Sequence, residues 1–244
     1  MKENQSTDAA ERIATFHSVY PTVLERIKEA AELSGRSAED IRLLAATKTV
    51  PVEAINAAID EGLRLIGENR VQELKEKYPF LDRRAEVHFI GNLQTNKVKD
   101  VVPMVSMIHS VSSLRLAAEI SKQCVKFGKE MKVLLEINIG GEESKGGFAP
   151  EEAEAAAREI AALPNISVSG LMAIPPICTV GEENIKYFCK MRQLFIDIGA
   201  KNIDNVNMVY LSMGMSDDYT EAIRCGANTV RIGSLLFGKR NYNI

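Results

Sequence analysis

Two cations and two runs of small, hydroxylated residues are the groups in this chain best equipped for chemistry. Lys48 closes the run Leu43-Leu44-Ala45-Ala46-Thr47-Lys48, and Pro51 then turns the chain. Such a short apolar run reads as a strand buried on both faces, and Pro51 suits the first turn of a helix. The strand is therefore expected to end near Lys48, placing an ammonium group where α/β folds keep their ligands. An ordinary lysine snorkelling into water would read the same way. Far along the chain, Arg231 stands inside Thr229-Val230-Arg231-Ile232-Gly233. A guanidinium in a buried strand keeps its proton and needs an acceptor. That acceptor is either a rim carboxylate, Glu68 or Glu136, or a group on a bound ligand.

The hydroxylated runs are Ser212-Met213-Gly214-Met215-Ser216 and Gly233-Ser234, each leading into a helix start. Small residues there let backbone N–H groups approach a phosphate. Ser216 and Ser234 serve equally well as simple N-caps. Asp217 and Asp218 oppose an anion placed directly on the first of these helices. The phosphate role is therefore expected of Gly233, Ser234, Ser212 and the backbone of residues 213–215.

The elements that position these groups follow a rhythm. Apolar, β-branched runs recur at 43–48, 65–67, 87–90, 107–111, 133–138, 168–174, 208–212 and 229–232, with helix-like segments between them. Val52, Ile55 and Ile59 form one apolar face. Ser112 or Ser113 can cap a helix that stops at Gly128, and Pro150 opens an alanine-rich one. A further apolar face, Ile185, Phe188, Met191 and Phe195, runs up to Gly199. Ahead of the first strand, an apolar stripe from about Asp8 to Ser34 predicts a helix, with a kink or a junction of two helices at Pro21. Eight strands alternating with helices in 244 residues predict a single (β/α)8 barrel over 42–240, behind a helical extension over 1–35. A doubly wound open sheet is the competitor.

Composition narrows the function. The net charge of -3 gives no basic surface for nucleic acid. No apolar stretch approaches the roughly 18 residues a membrane span needs, and the polar N-terminus lacks a signal core. Cys124, Cys178, Cys189 and Cys225 are widely spaced, and His17, His88 and His109 complete no zinc spacing. Scattered thiols point to a reducing, cytoplasmic setting, with buried structural cysteines as the expectation. A lysine, an arginine and a phosphate cradle on one barrel face suit pyridoxal 5'-phosphate: lysine for the imine, arginine for the pyridine nitrogen, serine and glycine for the phosphate. A sugar phosphate or another organic phosphate would fit the same groups.

The segment His88-Phe89-Ile90-Gly91-Asn92-Leu93-Gln94-Thr95-Asn96-Lys97 closely resembles the signature of the pyridoxal phosphate homeostasis protein family. So do Ala46-Thr47-Lys48-Thr49, Gly67-Glu68-Asn69-Arg70-Val71-Gln72-Glu73, Gly170-Leu171-Met172, Leu211-Ser212-Met213-Gly214-Met215-Ser216-Asp217 and Val230-Arg231-Ile232-Gly233. The resemblance runs from Leu43 to Tyr242. It implies a fold-type III barrel like the N-terminal domain of alanine racemase, with the cofactor held as a Schiff base on Lys48. It also implies that Asn69 lines the cofactor, that Ser212, Met213, Gly214, Gly233 and Ser234 hold the phosphate, and that Arg231 faces the pyridine nitrogen. Gly140-Gly141 departs from the family's usual residues, which leaves the loop to Lys145 open in conformation.

An arginine at the pyridine nitrogen disfavours its protonation and weakens the ring as an electron sink. Fold-type III racemases also use a tyrosine from an added β domain. The chain ends at Ile244, so that domain is expected to be absent, and Tyr210, Tyr219 and Tyr242 match no such base. The expectation is a monomeric carrier without robust catalysis that binds, buffers and delivers pyridoxal phosphate, with apo-enzymes as recipients. The alternative is an amino-acid racemase or related enzyme of weak or narrow activity. The part played by Lys145 in transfer is open.

Overall fold

The computed structural model describes residues 2–142, 145–176 and 182–238. Eight parallel strands close into a barrel in chain order: β1 (Arg42–Ala46), β2 (Leu65–Glu68), β3 (Glu86–Phe89), β4 (Met107–Val111), β5 (Met131–Glu136), β6 (Ile166–Met172), β7 (Val206–Ser212) and β8 (Thr229–Ile232). β8 returns to β1, pairing Arg42 with Thr229 and Leu44 with Arg231. The closed ring settles the choice against the open sheet. Helices α2 (Val52–Asp60), α3 (Val71–Lys77), α4 (Val98–Val101), α5 (Leu114–Phe127), α6 (Ala153–Ala161), α7 (Glu182–Gly199) and α8 (Tyr219–Arg224) lie in the crossovers. α1 (Lys2–Leu33) precedes the barrel and α9 (Ser234–Phe237) follows it. Cys178 and Tyr242 lie outside the described residues, as do the last two positions of the expected barrel span.

Strand alternation sorts the side chains into two layers. Ala45, Ile66, Phe89, Ile108, Val133 and Leu135 join the large core between barrel and helices. Leu44, Ala46, Leu65 and Ile90, and separately Met107 and Leu134 with Met172, fill the interior. Helix ends obey local chemistry. The Ser113 hydroxyl accepts the Leu116 N–H at 3.2 Å to cap α5, and Gly128 ends that helix at φ 61°.

Pro21 does not break the first helix. α1 runs through it as one element. Proline removes a helical hydrogen bond at a cost of about 3 kcal/mol. Pro21 and His17, whose carbonyl loses its partner, both face solvent, so water can serve that carbonyl. Phe16, Val23, Ile27 and Ala31 are buried on the other face, where α1 packs on α2, α8 and α9 and offsets the loss.

β1 also ends earlier than expected, at Ala46. The Thr47 N–H still reaches the Gly67 carbonyl at 3.0 Å, but Val50 N–H then turns back to Thr47 at 3.0 Å. Lys48 thus stands in a turn beyond the strand.

Candidate functional site

The Lys48 turn contains a strained residue. Thr49 adopts φ 63°, which a β-branched side chain rarely accepts. Two contacts hold it there: the Thr49 N–H donates to Glu73 Oε2 at 2.7 Å, and Lys77 Nζ donates to the Thr47 carbonyl at 2.8 Å. Lys77 also reaches Glu68 Oε1 at 2.9 Å and Glu73 Oε2 at 3.2 Å, while the Thr47 hydroxyl donates to Glu68 Oε1 at 2.7 Å. Glu68 is fully buried, and burial pushes its carboxyl above the ordinary glutamate value against the pull of Lys77. Glu68 therefore braces the lysine turn and is not the partner of Arg231.

Arg231 reaches the same face from β8. Its Nη1 donates to Ser212 Oγ at 2.7 Å and its Nη2 to the Ala173 carbonyl at 2.9 Å. Among the described residues no carboxylate lies within ion-pair distance of it; Asp218 and Glu136 act only at longer range. Burial pushes its pKa down to about 10. A buried guanidinium supported by two neutral oxygens favours an acceptor or anion beside it.

Both cations line one cavity of about 230 Å³ at the C-terminal ends of the strands. Asn69, Gly233 and Ser234 line it too, with Ala46, Ile90, Ile174, Ser216 and Asp217. The Asn69 Oδ1 is buried and has no hydrogen-bond partner among the described residues. Gly91 allows this arrangement: a Cβ there would come within 2.0 Å of the Asn69 carbonyl oxygen. At the far side, the N–H groups of Gly233 and Leu235 both point to Ser216 Oγ at 3.4 Å, and the Ser234 hydroxyl donates to it at 3.2 Å. Several donors thus converge on one hydroxyl oxygen, an arrangement that also suits an anionic oxygen.

Three residues expected to touch a phosphate lie behind the cavity. Ser212 is fully buried beneath Arg231. The Met213 N–H belongs to the ladder, donating to Thr229 at 3.2 Å, and its side chain is buried. Gly214 takes φ 90° where a Cβ would press on Ala222 at 2.5 Å, and its carbonyl accepts the Arg231 N–H at 3.0 Å. The Met215 N–H is likewise taken, by Asp218 Oδ1 at 2.7 Å. Residues 212–214 thus back the cavity wall, while Met215 and Ser216 line it.

Sequence reasoning missed Arg12. Its guanidinium is buried, held by Asp8 at 3.0 Å and by the Phe237 carbonyl at 3.2 Å, and it lines the cavity from α1. No local pattern marks it, since only the docking of α1 on α9 brings it there. The cysteine expectation holds for Cys124, which is buried, whereas Cys189 is exposed and lies 3.9 Å from the half-buried Cys225. Lys145 is paired with Glu142 and donates to the Pro175 carbonyl at 3.2 Å, outside this cavity.

The profile of the alanine racemase N-terminal domain family matches residues 22–241. A pyridoxal phosphate homeostasis protein of Aquifex aeolicus is 48% identical over 221 residues, which is 90% of this chain and 96% of that protein. The chain belongs to the pyridoxal phosphate homeostasis protein family. Among solved structures, PipY of Synechococcus elongatus PCC7942 with PLP bound is similar at TM-score 0.77 and 30% identity, covering 88% of this chain and 100% of that one. An alanine racemase of Clostridium difficile shares the fold at TM-score 0.72 and 18% identity, over 93% of this chain and 58% of the racemase. Members of this family and the racemase barrel thus share one architecture. Among the described residues, no helix is long and apolar enough to cross a membrane, and no group of His, Cys, Asp or Glu could hold a metal ion.

Proposed function

We propose that this protein binds pyridoxal 5'-phosphate in the cavity between Lys48 and Arg231 and serves to hold, buffer and hand on that cofactor. The observation that carries this reading is Arg231, a buried cation facing the cavity with only neutral hydrogen-bond partners among the described residues. When bound, the cofactor supplies an aldehyde that an amine captures reversibly. Lys48 is the amine on the cavity wall and tethers it. Gly233, Ser234 and the Leu235 N–H hold the phosphate where they now converge on Ser216, and Asn69 Oδ1 gains a partner at the cofactor's edge. PipY, a relative solved with PLP bound, supports the choice of ligand.

The carrier role follows from what Arg231 can and cannot do. It donates a hydrogen bond to a ring nitrogen, yet its fixed charge disfavours a proton there, so the ring draws electrons weakly. Among the described residues lining the cavity, no tyrosine or histidine stands by as a second acid–base group. One observation favours the weak-enzyme alternative. An adjoining cavity of about 210 Å³ shares Ile174 and is lined by Glu136, Asn138 and Lys145, two opposite charges and an amide that suit an amino acid.

The test is spectroscopic. The purified protein incubated with pyridoxal phosphate should show a visible absorption band that Lys48→Ala loses. Absence of the band in the unaltered protein sinks the assignment. Transfer to an apo-enzyme, compared with free cofactor, should proceed without amino-acid turnover. Substantial racemisation that Lys48→Ala abolishes would instead establish an enzyme. The reading also places the protein in the cytoplasm as a monomer, which fractionation and light scattering check.

A further inference from the structure

A line of buried polar side chains runs through the barrel beneath the cavity. His88 Nδ1 lies 2.9 Å from His109 Nε2, and His109 Nδ1 lies 3.1 Å from Ser212 Oγ, which accepts from Arg231. β4 and β7 are not neighbours in the barrel, so the contact between His109 and Ser212 crosses its interior. A register shift between Ile108 and Val111 puts both of those residues in the outer layer and leaves His109 aimed inward. At the opposite end, His88 Nε2 lies 3.1 Å from Glu86 Oε1, a contact bent away from the N–H direction. His88, His109 and Ser212 are all but completely removed from solvent.

The donors and acceptors can be assigned in order. Arginine only donates, so Ser212 Oγ accepts from it and sends its single proton to His109 Nδ1. His109 must then carry its proton on Nε2 and donate to His88 Nδ1. His88 in turn carries its proton on Nε2, toward the Glu86 carboxylate. The reverse assignment leaves the Ser212 proton unused and sets a bare His88 nitrogen against a carboxylate, which is repulsive. Burial keeps both rings neutral: it lowers the pKa of His88 in spite of Glu86, and that of His109 further with help from His88 and Arg231. Arg42 on β1 acts on both rings in the same sense, and Lys132 on β5 on His88.

We propose that His109 and His88 are positioning residues for the cavity: protonated on Nε2, they make Ser212 an acceptor and so hold the Arg231 guanidinium toward its ligand. The ligand in this statement rests on the pyridoxal phosphate reading; the assignment of the protons does not. The column explains why a barrel interior usually filled by branched aliphatic residues holds two histidines here.

Nitrogen-15 spectra of the unliganded protein decide the proton assignment. The chain has three histidines, and His17 is exposed on α1, so His17→Gln identifies the buried pair. Both buried rings should show Nε2–H; a ring protonated on Nδ1, or on both nitrogens at neutral pH, overturns the proposal. For positioning, His109→Leu and Ser212→Ala should each weaken pyridoxal phosphate binding about tenfold, the scale of one hydrogen bond to a charged group. The double variant should weaken it little further, since both act through Arg231. Affinities within twofold of the unaltered protein in a folded His109→Leu, or fully additive losses, overturn it. If His109→Leu does not fold, Ser212→Ala and the shift of the His109 nitrogens on adding cofactor decide: unchanged affinity and unchanged nitrogens refute the coupling. A protein with no visible band at all fails the cofactor reading, while its spectra still judge the relay.

Discussion

The two cations on the cavity wall are held by opposite means. Lys48 stands in a turn whose backbone is pinned by charge: Lys77 lies between Glu68 and Glu73 and ties both to residues 47 and 49. Arg231 stands in a strand and is held by neutral groups, a serine hydroxyl and a carbonyl, with two uncharged histidines behind the serine. Where ion pairs brace, each charge depends on the others to stay buried. Where neutral groups brace, the single charge is the group the site uses, and its support does not collapse when it is removed.

Removing Lys77 should therefore produce the largest effect. Lys77→Met leaves the fully buried Glu68 without its counter-ion, a change that typically costs about 3–5 kcal/mol. Chemical denaturation at neutral pH measures it. The sign with pH follows from Glu68. Burial already raises its pKa above the ordinary 4.5, so its contribution to stability is fully present below that value and is lost as pH rises. The deficit of Lys77→Met should accordingly shrink on acidification. Equal stability of the variant and the unaltered protein at neutral pH would show that the turn does not depend on this brace.

Arg231→Leu should behave differently. It leaves Ser212 and the Ala173 carbonyl short of a partner, but it also removes a buried cation. Stability should change by no more than about 1 kcal/mol, while pyridoxal phosphate binding falls by roughly ten- to a hundredfold. Melting curves with and without cofactor separate the two. A stability loss as large as that of Lys77→Met would erase the distinction between the two supports.

The contrast also marks what one dimension reveals. Lys48, Asn69, Gly233 and Ser234 follow or close apolar runs, so the barrel rhythm alone puts them on one face, and Arg231 is marked as a charge inside such a run. Ser212, Met213 and Gly214 sit one layer lower, because only the register of β7 against β8 tells which residues of that run reach the cavity. Arg12 comes from the docking of a distant helix. His88 and His109 lie in separate apolar runs with no metal spacing; they meet because β3 and β4 are neighbours, and their link to Arg231 depends on the contact of His109 with Ser212 across the barrel. The junction of two helices expected as one alternative at Pro21, which the single α1 rules out, has a related cause. Local propensity foresees the lost hydrogen bond but not the buried face that offsets it.

Thr49 allows a finer test of the lysine side. A β-branched residue at φ 63° stores strain on the order of 1–3 kcal/mol, and glycine adopts that conformation without it. The N–H donated to Glu73 survives the change. Part of the relief is lost to the greater freedom of glycine in the unfolded chain, so Thr49→Gly should stabilise by about 1 kcal/mol and raise Tm by roughly 2–4 °C. A fall in Tm would mean that the Thr49 side chain, rather than the pinned backbone, secures the turn.

The smallest effect is expected at the far end of the histidine column, and it concerns acid. Glu86 is held below the ordinary glutamate value first by His88, then by Ser106 and Arg42. A carboxylate with a lowered pKa adds stability that is present above its unfolded value, about 4.5, and is lost as pH falls through and below it. The unaltered protein should therefore lose stability more steeply than Glu86→Gln as pH falls from about 6 to about 3. Glu86 is partly exposed, so the difference should be modest and should diminish with added salt. At neutral pH the glutamine can still offer His88 an acceptor oxygen, and cofactor affinity should fall less than it does in His109→Leu. A loss of affinity equal to that of His109→Leu would show that the carboxylate charge itself, and not only its acceptor oxygen, is felt at Arg231 across the barrel.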